Sequence, residues 1–68
     1  MKLIDHEWNE TIGKRTNTWL ANDESKITAG FDAESAEGSI ILVISTNSTF
    51  IKNADGKWQK LGTSEVIA

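Results

Sequence analysis

His6 stands between two carboxylates, Asp5 and Glu7, and a histidine in that setting could support acid–base chemistry. Such catalysis also needs a nucleophile or a second polarised group beside the imidazole, in a concave site. The sequence near His6 offers no such group. A solvated histidine close to the chain terminus is the favoured interpretation. We therefore predict no catalytic residues and no enzymatic activity.

A group of carboxylates in the middle of the chain invites comparison with a calcium loop: Asp23, Glu24, Asp32, Glu34 and Glu37. An EF-hand needs an oxygen ligand at its fifth position and glycine at its sixth. Counted from Asp23, those positions are Ile27 and Thr28, so the spacing fails. The chain also has no cysteine and one histidine, which argues against zinc. We expect a solvated acidic loop, no metal and no cofactor.

The tryptophans Trp8, Trp19 and Trp58 are many for a chain of this length. They could form a platform for sugars or for nucleic-acid bases. The favoured alternative is that they fill the core, because tryptophan buries a large area at small entropic cost. Lysines flank the strand around Trp58, so we expect this side chain to be partly exposed.

The element that must position these residues is a three-stranded antiparallel meander predicted over residues 39–62. Ile40 to Ile44 are consecutive aliphatic residues, which predicts a central strand that is covered on both faces. Asn47 suits a turn with positive φ. The run Asn53–Gly56 predicts a type I turn closed by a bulge at its glycine.

The first residues leave two alternatives open. Ile4, Trp8 and Ile12 lie four residues apart, which would place them on one face of a short helix over residues 5–12. A helix that short needs docking to persist, and an extended arm is the rival. Residues 15–20 predict a short strand because of their threonines and tryptophan.

Residues 21–37 predict an irregular excursion that Ile27 and Phe31 pin to the core. The predicted fold class is therefore mostly β, with a small α+β fold as the alternative. We expect a single small domain over residues 1–68, with an irregular part at 1–37, a β-meander at 38–62 and a tail at 63–68.

The 68-residue length limits how large a core the chain can bury. Domains of this size are usually completed by disulfides, metals or oligomerisation. With no cysteine and one histidine, self-association or docking on a partner remains, and we expect a homo-oligomer.

The net charge of −3 and the absence of a basic cluster argue against nucleic acid as a partner. No apolar run approaches the roughly 20 residues of a membrane span, so we expect no membrane contact. The first residues turn acidic within MKLIDHE, which is not typical of a secretion signal. The expected location at synthesis is the cytoplasm of the cell that makes the chain.

The meander carries a family resemblance in a glycine–serine pair, an apolar strand, an aromatic–isoleucine pair and a final turn: Gly38-Ser39, Ile40–Ile44, Thr46, Phe50-Ile51, Asp55–Trp58 and Leu61-Gly62. This combination resembles a pattern in phage and prophage structural proteins of the head-fibre, decoration and tail-accessory types. The resemblance implies a virion component without catalytic residues, made in the host cytoplasm and then incorporated into the particle.

Together these observations predict a non-enzymatic virion protein, used for capsid decoration, as a head fibre or in a head–tail assembly. It would act through oligomerisation and contact with a larger virion protein. The predicted interaction residues are apolar members of the meander: Ile40, Leu42, Ile44, Phe50 and Trp58. The alternative is a small intracellular protein-binding module, or a regulator of a host protein, that uses an exposed sheet edge.

Overall fold

The computed structural model describes residues 1–67, and their strands form one six-stranded sheet in the order of the chain. The strands are β1 (Lys2–Asn9), β2 (Lys14–Ala21), β3 (Ile40–Val43), β4 (Ser48–Lys52), β5 (Trp58–Lys60) and β6 (Val66–Ile67). Neighbours pair antiparallel except β2 and β3, which are parallel. The predicted mostly-β fold class is confirmed.

The helical alternative for residues 5–12 is wrong, because β1 forms a hairpin with β2 instead. The amide of Gly13, at φ 66°, donates to Asn9 O at 2.9 Å and closes the turn. So short a segment cannot sustain an isolated helix, whereas β2 is already held in the sheet and offers it a strand to pair with. Ile4 adds a bulge, since the register shifts between Leu3 and Asp5.

The meander forms as predicted from β3, β4 and β5. Asn47 takes a positive φ of 52° in its first turn. In the second turn Gly56, at φ 76°, donates its amide to Asn53 O at 3.0 Å, and Asn53 N donates to Lys57 O at 2.8 Å. The predicted turn with a left-handed glycine is confirmed.

A crossover segment, residues 22–39, connects the parallel strands β2 and β3. Connections of this kind usually contain a helix, but here the segment is irregular apart from a 3-10 turn at Glu24–Lys26. It lies across one face of the sheet, where Ile27 is 5% exposed and Phe31 packs against the core. The predicted anchoring of this segment is therefore confirmed.

We call the sheet face under the crossover segment the inner face and the opposite one the outer face. The buried apolar cluster is on the inner face: Ala21, Ile27, Ile41, Val43, Phe50 and Trp58. The Phe31 ring centroid lies 5.0 Å from that of Trp19 and 6.2 Å from that of Trp58, and we call these three rings the inner aromatic cluster. Trp58 is 2% exposed, so its expected partial exposure is wrong; its indole N–H donates to Phe31 O at 2.9 Å.

The apolar strand β3 lies inside the sheet between β2 and β4, as expected. The sequence predicts that both faces of β3 are covered, and the structure covers one of them. Ile41 and Val43 point inward and are buried, whereas Leu42 points outward and is 37% exposed. Within residues 1–67 no segment crosses the outer face, because every connection other than the crossover segment is a tight turn between adjacent strands.

Candidate functional site

The five predicted interaction residues do not share a surface. Phe50 and Trp58 are core residues of the inner face, at 0% and 2% exposure. Ile40 and Leu42 lie on the outer face, and Ile44 follows in an exposed turn. A contact surface that includes Phe50 and Trp58 is not compatible with this fold. The sequence did not show that Phe50 and Trp58 lie on the covered face. Because β3 is apolar on both sides, its alternation gives no indication of which face is covered.

Two cross-strand rows on the outer face contain no charged residue, one from β2 to β4 and the other from β2 to β6. We call these residues the outer strip: Leu20, Leu42 and Thr49 in one row, and Thr18, Ile40, Ile51, Gln59 and Val66 in the other. The rows continue onto β1 at Lys2, opposite Leu20, and Asp5, opposite Thr18. An uncharged centre with a charged margin is the composition found at protein–protein interfaces.

The inner face contains a buried cation. Lys52 is 4% exposed. Its Nζ donates to Asp32 O at 2.8 Å, Ala33 O at 3.2 Å and Ser35 O at 2.9 Å. Burial lowers the pKa of the Lys52 ammonium from its ordinary value, and the Asp32 carboxylate partly opposes that shift. Because the ammonium satisfies several loop carbonyls at once, it fixes the loop 32–35 to β4.

Asp32 holds the same loop to β2. Its Oδ2 accepts from the indole N–H of Trp19 at 2.7 Å and from Nδ2 of Asn17 at 2.9 Å. Asp32 has φ 49°, a left-handed conformation that aspartate tolerates better than most residues. Asn17 Oδ1 is buried and has no hydrogen-bond partner among residues 1–67.

An open cleft of about 590 Å³ lies between the β1–β2 hairpin and the loop 32–35. Trp8, Lys14 and Arg15 line its hairpin wall, and Asp32, Glu34 and Ser35 line its loop wall. The Arg15 guanidinium carbon is 5.9 Å from the Trp8 ring centroid. The cleft therefore has an aromatic and cationic wall facing an acidic wall.

His6 also belongs to this hairpin, and its contacts differ from the arrangement that raised the acid–base interpretation. Arg15 Nη1 lies 2.7 Å from His6 Nδ1. Because arginine has no acceptor, Arg15 donates and Nδ1 accepts. Strand alternation puts the side chains of Asp5 and Glu7 on the sheet face opposite that of His6. No hydrogen bond joins the His6 imidazole to either carboxylate; Asp5 Oδ1 accepts from the backbone amide of His6 at 2.9 Å instead.

β1 forms a long free edge of the sheet. It pairs with β2 on one side, and every one of its residues is exposed. The other edge strand, β6, has two residues. A free edge strand exposes unpaired backbone N–H and C=O groups, which can pair with an added strand.

The structural roles of Lys52, Asp32 and Asn17 were missed from the sequence. A signal existed for Lys52, because it shares strand alternation with Phe50 and must point to the same face. No local signal existed for Asp32 and Asn17, since their contact joins positions 15 residues apart through the crossover segment.

No group of three histidine, aspartate or glutamate side chains among residues 1–67 is placed to hold a metal ion. The same part of the chain contains no helix with the length and apolar character needed to cross a membrane. Comparison with known proteins finds no matching family model, no matching curated protein and no matching solved structure.

Proposed function

We propose that the protein is a non-enzymatic structural or accessory component of a phage or prophage particle, as capsid decoration, head fibre or head–tail component. It acts by self-association and by contact with a larger virion protein. The resemblance of residues 38–62 to such proteins supports the assignment. The observation that carries the mode of action is the uncharged outer strip.

The outer strip suits a second copy of the same sheet. Aliphatic side chains such as Leu42 and Ile51 are partly exposed there, and face-to-face packing would remove them from water. Two copies of an uncharged surface meet without like-charge repulsion. A two-fold axis brings identical patches together and closes the assembly.

The area that a dimer interface needs sets the role of the outer strip. A stable interface takes about 800 Å² from each partner, which is roughly a fifth of the 4395 Å² surface of this chain. An area of that size requires most of one sheet face, including residues beyond the outer strip. The outer strip crosses five of the six strands and would form the uncharged centre of that interface.

Analytical ultracentrifugation from micromolar to millimolar concentration tests this proposal. The unaltered chain is expected to associate, and Leu42→Lys is expected to be monomeric because its ammonium would be buried in the interface. Leu42 is already 37% exposed, so the variant should keep its circular dichroism spectrum. Ala54→Lys, which places the same side chain in an exposed turn, is the matched control and should associate normally.

A compact monomer at every concentration would overturn the proposed self-association. The same conclusion would follow if Leu42→Lys and the unaltered chain sedimented alike. If Ala54→Lys were monomeric as well, the loss of association would come from the change in net charge rather than from the outer strip.

The free edge of β1 supports a second candidate, a protein-binding module or regulator of a host protein that adds a strand from its partner. Hydrogen exchange distinguishes the two modes. Strand addition would protect amides of β1 in the complex, whereas sheet-on-sheet association would leave β1 amides exchanging as in the monomer.

A further inference from the structure

Trp8 differs from the other two tryptophans in its surroundings. The indole N–H groups of Trp19 and Trp58 donate to Asp32 and to Phe31, and these two rings belong to the inner aromatic cluster. Trp8 is 52% exposed and lines the cleft. A large aromatic ring held open at a concave site is a surface on which a flat ligand can stack.

The two walls of the cleft restrict the charge of that ligand. Lys14 and Arg15 are cations, and Asp32 and Glu34 on the opposite wall are carboxylates. An anion or a cation would be attracted by one wall and repelled by the other. A neutral ligand with hydroxyl groups suits both walls, because a hydroxyl donates to a carboxylate and accepts from a guanidinium.

Two oxygen atoms at the cleft can accept a hydrogen bond but receive none within residues 1–67. Asp32 Oδ2 already receives hydrogen bonds from Asn17 and Trp19, while Oδ1 of the same carboxylate receives none from side chains or backbone in residues 1–67. Asn17 Oδ1, in a residue that lines the cleft, is buried without a donor in the same part of the chain. The buried Asn17 Oδ1 is closed to solvent, whereas Asp32 Oδ1 is accessible, so a ligand hydroxyl can donate to Asp32 Oδ1.

We propose that this cleft is a carbohydrate-binding site. A pyranose ring stacks its apolar C–H face on the part of the Trp8 ring that Arg15 leaves exposed, and its hydroxyl groups bond Asp32 Oδ1 on one wall and the Arg15 guanidinium on the other. The volume of about 590 Å³ is in the range of small-ligand sites. The cleft is open to solvent, so further sugar units of an oligosaccharide extend outward. The site is separate from the outer strip and binds whether or not the chain self-associates.

The three indole N–H resonances of the ¹⁵N-labelled chain give a direct test. The probes are neutral sugars: glucose, galactose, mannose and N-acetylglucosamine, with their oligomers. A binding sugar should shift the Trp8 and Trp19 signals saturably, because Trp8 stacks and Trp19 shares the Asp32 carboxylate. The Trp58 signal, buried and bonded to Phe31 O, should move least.

Matched variants locate the site. Trp8→Ala should weaken binding by about tenfold or more through loss of stacking. Ile12→Ala is the control, since Ile12 is 48% exposed in the same hairpin and does not line the cleft. Asp32→Asn should fold, because asparagine tolerates positive φ, and should bind sugar several-fold more weakly.

Three outcomes would overturn the assignment. One is the absence of a saturable shift with any of these sugars, and another is unchanged binding by Trp8→Ala. The third is a response of the same residues to inorganic phosphate without a response to sugar, which would make the cleft an anion site.

Discussion

Ile41 and Leu42 are neighbours of similar size in β3, and they lie on opposite faces of the sheet. Ile41 is 0% exposed and Leu42 is 37% exposed. The difference comes from the crossover segment, which covers the inner face and which Ile27 and Lys52 hold in place. The composition of β3 therefore does not decide which side becomes core; the anchoring of a distant loop does.

Alanine substitution of these two residues should give the largest contrast. Ile41→Ala should lower the free energy of unfolding by about 2–5 kcal/mol, because a cavity forms in a closed core. Leu42→Ala should cost about 1 kcal/mol or less in the monomer, since less area leaves water on folding. Urea unfolding at low protein concentration measures both values without a contribution from association.

The same pair reports on self-association when the concentration is raised. The cost of Leu42→Ala should then increase, while that of Ile41→Ala should change little, because the outer strip is covered in the oligomer alone. Equal costs at low concentration would contradict the contrast between the two faces.

Lys52 tests the polar part of the inner face. Lys52→Met should cost about 2–4 kcal/mol, because the loop carbonyls at Asp32, Ala33 and Ser35 lose a charged donor in a buried setting. Lys57→Met is the matched control in an exposed position and should change stability by about 0.5 kcal/mol or less. Chemical denaturation monitored by tryptophan fluorescence compares the two variants.

The contribution of Lys52 to stability should change with pH in a defined direction. Burial lowers the pKa of Lys52 in the folded chain below the ordinary value of 10.5. The unfolded chain then binds the proton more tightly, so the contribution of Lys52 to stability rises as the pH approaches 10.5. The stability difference between the unaltered chain and Lys52→Met should grow over that alkaline range. A difference that shrank with pH would show that the lysine is not held in a desolvated site.

The parts of the fold that the sequence predicted depend on local signals. The meander followed from an aliphatic run and from the turn at Asn53–Gly56, where residues close in sequence fix the backbone. The N-terminal segment could not be assigned, because Ile4, Trp8 and Ile12 suit a helix by spacing and yet remain exposed in the hairpin region. Pairing with β2 determines the structure of this segment, and the spacing of its apolar residues does not indicate that pairing.

The candidate sites were less predictable because they depend on long-range contacts. Lys52 reaches Asp32 across 20 positions, and the cleft exists only where the crossover segment approaches the β1–β2 hairpin. Trp8, Trp19 and Trp58 have the same residue type and three different environments. Composition indicated that tryptophans would matter but could not separate the exposed Trp8 ring from the partly buried Trp19 and the buried Trp58.

The smallest expected effect concerns the other end of the crossover segment, where Glu24 meets β5. Lys60 Nζ lies 3.1 Å from Glu24 Oε2, and hydrogen bonding from Thr46, followed by that from Lys60, lowers the pKa of Glu24 below 4.5. A carboxylate with a depressed pKa stabilises the fold above its unfolded pKa and loses that contribution as the pH falls through its folded value. Glu24→Gln should therefore have a slightly lower Tm than the unaltered chain at neutral pH, and the two should converge in acid. Glu10→Gln, in the exposed hairpin turn, should match the unaltered chain throughout. A Tm difference for Glu24→Gln that persisted below the folded pKa would mean that its side chain acts through packing rather than charge.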